Sequence, residues 1–116
     1  MISESRKAPR RKPSQSVVVT DELTGQSVGY VKDLSESGMQ LEVTAPLAED
    51  AIYQLQFQLE GSTLVPALVD AGAHVVWLDA DAPQGNRLSG LRFLAISERD
   101  LERLRRWAES EHGHGD

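Results

Sequence analysis

The chain has 116 residues, a formal net charge of −6 and no cysteine. That is one ordinary domain, and it excludes a disulfide framework, a thiolate metal site and a cysteine nucleophile. No apolar stretch approaches the length of a membrane span, and no apolar run follows the N-terminal charges as a secretory signal requires.

The charge is unevenly spread. Residues 1–13 hold five basic side chains (Arg6, Lys7, Arg10, Arg11 and Lys12) against one acid, Glu4, while the remainder holds seven basic and seventeen acidic residues. An acidic body argues against a general DNA or RNA binder, which needs an extended basic surface. It leaves room for a small anionic ligand gripped by the basic segment.

Residues 1–14 are polar, carry Pro9 and Pro13, and read as a flexible arm. The body is expected over 15–110. Val17-Val18-Val19 is a β-branched run, and Leu23 to Gln26 reads as a turn. Ser27 to Lys32 is a second strand, and Asp33-Leu34-Ser35-Glu36-Ser37-Gly38 is a turn. Met39, Leu41 and Val43 alternate with Gln40 and Glu42, the period of a half-buried strand. The clearest period of two sets Tyr53, Leu55, Phe57 and Leu59 against Gln54, Gln56 and Gln58. Leu64–Asp70 is expected as an edge or bulged strand because of Pro66, with a separate strand over Ala73–Leu78 and a last one over Arg87–Leu94. Ser97 is placed to cap a helix that starts with acidic residues and runs to about Glu109 with Leu101 and Leu104 facing the sheet. Residues 111–116 read as a disordered tail. Six to seven short strands and one helix predict an all-β fold with a C-terminal helix, a small antiparallel barrel.

Two segments carry the chemistry. Pro9 biases Ala8 toward extended backbone, so the arm presents its arginines from a strand-like rather than a helical segment. A guanidinium can bind phosphate bidentately, match guanine O6 and N7, or stack on a base. By itself such a run is more often a solubilising tail. In the second segment, Asp33 and Ser35 can bond their own turn, with Gly38 available for a positive-φ position.

In this order and spacing, Arg6-x-x-x-Arg10 followed by Asp33-x-Ser35-x-x-Gly38 resembles the PilZ domain family. Ala73-His74-Val75-Val76-Trp77, Gly90-Leu91-Arg92-Phe93 and the C-terminal helix resemble the family's later elements, so the likeness spans about Arg6 to Trp107. It implies a six-stranded barrel that binds cyclic di-GMP, a bacterial second messenger, without a metal or other cofactor. Arg6 and Arg10 would be the main clamps and Asp33 would accept from guanine N–H groups. Ser35 would hydrogen-bond the ligand, Gly38 would keep the turn tight, and Arg11 ranks lower. Trp77 is a possible ligand or partner contact, although a strand tryptophan is more often core. Ser5 stands where many members that bind an intercalated ligand pair carry a basic residue, which leaves one or two bound molecules open.

One arginine contact is too weak to offset the entropy of ordering the arm, so several must act together, and the arm is expected to order on the ligand; a single domain of this kind is expected to act as a cytoplasmic adaptor that signals to an unidentified signalling or motility protein. The resemblance implies no membrane insertion and no DNA or RNA partner. The alternative is a barrel of the same kind acting as a protein-interaction module without nucleotide. An enzyme is not expected: His74, His112 and His114 form no ligand cluster, and Asp79 and Asp81 read as solvated loop residues.

Overall fold

The computed structural model of the protein describes residues 9–59, 67–79 and 87–114, the side chains of 67 and 110–114 excepted. Its elements are β1 (Val18–Asp21), β2 (Ser27–Ser35), β3 (Gly38–Val43), β4 (Ile52–Leu59), β5 (Ala67–Leu78), β6 (Leu88–Ile96) and α1 (Glu98–His114). The six strands close into an antiparallel barrel in the order β1-β2-β3-β6-β5-β4. The expected fold class is therefore what the chain adopts.

Alternation explains the interior. Leu55, Phe57 and Leu59 of β4 are buried, as are Met39, Leu41 and Val43 of β3, while the intervening Gln40, Glu42, Gln56 and Gln58 face outward. Phe57 stacks on Phe93 from β6 with ring centroids 6.3 Å apart. α1 closes one side of the barrel with Leu104, Trp107 and Ala108, all buried in the same core as Leu34 of β2. Its start is capped as the sequence suggests: the Asp100 N–H donates to Ser97 Oγ at 3.1 Å, satisfying a helix-start donor. Asp100 in turn accepts from the Asp70 N–H, pinning the helix start to β5.

Three expectations change. The two strands expected over 64–70 and 73–78 are one, β5, because Gly72 pairs with both Gln54 and Ala95 and the irregularity after it is a register shift against β6 while pairing with β4 runs on; Leu64 to Pro66 lie outside the described residues. The turn expected over Asp33–Gly38 shrinks to Glu36 and Ser37, since Ser35 and Gly38 already pair as strand residues. α1 continues past Glu109 to His114, taking in part of the segment read as a tail.

Candidate functional site

The site is built on the β2–β3 hairpin. A register shift between Val31 and Asp33 brings Asp33 opposite Gln40, while Leu34 opposite Met39 points into the core. Asp33 and Gln40 therefore share the outer face. The same outward row continues across the barrel, because Gln40 pairs with Gly90 of β6 and Gly90 with Trp77 of β5. A second shift, between Val75 and Trp77, re-aims the tryptophan, and the buried Ser89 hydroxyl fixes it by donating to the Trp77 carbonyl at 2.8 Å. Gly90 is required here: a Cβ would overlap the Trp77 indole, which lies across it.

Arg10 reaches this row from the N-terminal side. Its Nε donates to Asp33 Oδ1 at 2.7 Å, and Nη2 makes an ion pair with the same oxygen. Its Nη1 donates to Ser35 Oγ at 3.3 Å. Arg10, Asp33, Gln40, Val76, Trp77 and Gly90 border an open groove of about 320 Å³. Trp77 is 40% exposed at its rim. The groove thus offers a fork of cationic donors, a carboxylate, a neutral amide and an aromatic wall.

The other expected residues are placed differently. Ser35 is fully buried; its hydroxyl also accepts from the Ser37 N–H at 3.1 Å and meets Ser37 Oγ at 2.9 Å. It holds the hairpin and Arg10 rather than facing the groove. Gly38 does not adopt positive φ; Gly25 is the described glycine that does. Gly38 is needed for close approach, because a Cβ would overlap the Leu91 carbonyl oxygen on β6. Arg6 lies outside the described residues.

Arg11 turns the opposite way from Arg10. Its backbone pairs with Leu34 in both directions at 3.0 Å, adding a bridge to the edge of β2. Its guanidinium sits 4.5 Å from the Trp107 ring centroid, and Nη1 donates to the Trp107 carbonyl at 2.7 Å. Arg11 therefore fastens the arm to α1 and does not line the groove. A second tie joins the hairpin to the helix, from Arg105 Nε to Glu36 Oε1 at 2.5 Å, and Glu36 raises the Arg105 pKa.

Sequence reasoning missed Gln40 and the two helix ties. Gln40 carried a faint signal, as a polar residue on the outward face of β3 two positions after Gly38. The partners of Arg11 and Glu36 lie far along the chain, at Trp107 and Arg105, and no local pattern marks them.

The sequence profile of the PilZ domain matches residues 4–110, nearly the whole chain. The chain belongs to the PilZ domain family. Solved structures agree on the fold. The Bacillus subtilis inhibitor of motility (MotI/DgrA) superimposes with a TM-score of 0.76 at 14% identity, over 95% of this chain and 52% of that one. YcgR from Escherichia coli in complex with c-di-GMP gives 0.72 at 18% identity, over 94% of this chain and 46% of that one. The PilZ domain of the same YcgR with c-di-GMP gives 0.64 at 18% identity, over 94% and 92%. This PilZ chain thus spans about half the length of the first two structures. No curated protein matches it in sequence. Among the described residues, no helix is long and apolar enough to cross a membrane, and no group of three or more His, Asp or Glu side chains is arranged to hold a metal ion.

Proposed function

We propose that this PilZ chain is a receptor for cyclic di-GMP, carrying the signal as a cytoplasmic adaptor to a signalling or motility protein. The observation that carries this reading is the convergence of Arg10 and Asp33 at the lip of the groove ending at Trp77. The guanidinium suits phosphate or the O6/N7 edge of guanine, and the carboxylate suits the guanine N–H groups. Arg6 would add a second fork and the arm over residues 1–14 would wrap the ligand. Ser35 would act by holding Arg10 and the hairpin. Trp77 would bound the base. No catalytic step, metal or nucleic-acid partner belongs to this reading.

The ligand has to compete for Arg10 with Asp33, so binding exchanges one charge-assisted contact for others. One bidentate arginine–guanine pair contributes about 1–3 kcal/mol. Ordering six arm residues costs roughly 1–2 kcal/mol each in backbone entropy, so several contacts must act together. The Arg11 bridge to Leu34 reduces that cost by fixing the arm one residue from the clamp.

Calorimetric titration with cyclic di-GMP tests the proposal. Wild type is expected to bind, more weakly as salt rises because the phosphate contacts are charged. Arg10→Ala is expected to lose at least about 1–3 kcal/mol of binding free energy. Unchanged binding by Arg10→Ala would move the site elsewhere. Absence of binding by wild type would favour an interaction module acting without nucleotide.

A further inference from the structure

The outward row Asp33–Gln40–Gly90–Trp77 contains one polar side chain that the family motifs do not account for. Gln40 is half-buried, borders the groove, and its amide makes no hydrogen bond among the described residues. Asp33 has an unspent acceptor as well: Arg10 uses Oδ1 for both its contacts, and Oδ2 accepts from none of the described residues. Directly opposite residues on antiparallel strands hold their Cβ atoms about 4.5–5.5 Å apart. Asp33 and Gln40 therefore start from neighbouring Cβ positions on the outer face, and both border the groove.

The polarity of the pair fixes what it can read. An ionised aspartate only accepts, whereas a glutamine amide both donates and accepts. The Watson–Crick edge of guanine runs from the N2 amino group through N1–H to the O6 acceptor. Its two donors must face the carboxylate, because O6 against Asp33 would set two acceptors together. O6 then falls toward Gln40, the neighbour able to donate.

We propose that Gln40 is a base-reading residue of this groove, its amide N–H donating to guanine O6 while Asp33 accepts from N1–H and N2–H of the same edge. The assignment rests on the reading of the groove as a cyclic di-GMP site. It adds a contact from β3 that lies outside both sequence motifs. Adenine fits the pair badly, because its N1 lone pair would face the Asp33 carboxylate. The amide would also have to turn over to accept from N6.

The test is calorimetric titration of wild type, Gln40→Leu and Gln40→Glu with cyclic di-GMP and with its inosine analogue, cyclic di-IMP, which lacks N2 but keeps O6 and N1–H. Near-identical near-ultraviolet circular dichroism and melting temperatures establish that the variants keep the fold. Gln40→Leu is expected to weaken cyclic di-GMP binding about 5- to 100-fold, the range of one good base-edge pair. Gln40→Glu is expected to weaken it at least as much, because a carboxylate cannot donate to O6. The same fold-loss for Gln40→Leu on cyclic di-IMP supports contact with O6. A loss seen only with cyclic di-GMP overturns the O6 assignment, because it would place the amide on N2. Gln40→Leu binding within twofold of wild type, while Arg10→Ala is impaired, overturns this inference alone. Wild type failing to bind overturns the parent reading with it.

Discussion

Arg10 and Arg11 are adjacent in sequence and do opposite work. Arg10 is exposed, and its guanidinium meets a carboxylate at the edge of an open groove. Arg11 is half-buried, its backbone in a strand bridge and its guanidinium on the face and carbonyl of a buried tryptophan. An extended backbone sends consecutive side chains to opposite faces, so one step along the chain separates a guanidinium at the groove from one packed on the helix. The segment is therefore pinned to β2 and α1 one residue from the side chain that borders the groove.

The largest expected effect removes the surface on which Arg11 rests. Trp107 is buried in the same core as Leu104 and Leu34. Trp107→Ala is expected to cost about 3–5 kcal/mol of stability, the range for truncating a buried aromatic, read from the urea midpoint with unchanged slope. If the helix serves only as a lid on the barrel, cyclic di-GMP affinity at temperatures where the variant is folded should stay near wild type. A parallel loss of affinity would mean that the pin governs the clamp. A cost well under the stated range would show that α1 packs more loosely than its buried contacts indicate.

Next in size is the direct contrast between the two arginines. Arg11→Ala is expected to lower stability by about 1–2 kcal/mol, combining a cation–π contact with a charge-assisted hydrogen bond to a carbonyl. Arg10→Ala should change stability by less than about 1 kcal/mol, as exposed ion pairs do, while carrying the larger loss of ligand affinity. Denaturation and calorimetry on the same two variants check the division. Equal stability losses, or a greater affinity loss for Arg11→Ala, would break it.

What was legible in the sequence divides along a similar line. The barrel could be read because Leu55, Phe57 and Leu59 alternate with glutamines, and because Ser97 precedes an acidic first turn; each signal is local and each follows from one face being buried. The spacing of Arg10 and Asp33 singled them out in the sequence, and the structure brings the two together at the edge of the groove. What could not be read depended on register or on distant partners. The row from Asp33 to Trp77 exists only because β2 shifts register after Val31 and β5 shifts again after Val75, having already shifted once after Gly72. Composition near Val31 and Val75 does not announce either shift. Gly38 illustrates the limit: the sequence marked it as special, but for a positive φ, whereas the reason is the Leu91 carbonyl on a strand far along the chain.

The smallest effect asks whether exposed charge matters for stability anywhere on the barrel. Gln56 donates to both Glu22 and Asp70 on the outer face, at 3.2 and 3.0 Å. A hydrogen bond with the neighbouring Asp70, more than burial, raises the Glu22 pKa above 4.5, while that of Asp70 is lowered by its bonds to Glu22 and Gln56. A carboxyl whose pKa is higher folded than unfolded contributes stability that is full below the unfolded value of 4.5 and lost as pH rises through the folded value. At neutral pH, Glu22 is thus a mild liability. Glu22→Gln removes that titration, so relative to wild type it should gain up to about 0.5 kcal/mol at pH 7, a figure held down by solvent screening. The gain should fade as pH drops below the ordinary glutamate range. Asp70 works in the other direction, its contribution present above 3.8 and lost as pH falls through its lowered folded value, which places most of its change at more acidic pH. Urea midpoints of the two proteins between pH 3 and pH 7 measure the difference. A gain at pH 7 well beyond the stated size would mean that rim charges weigh more in this fold than the contrast between Arg10 and Arg11 allows.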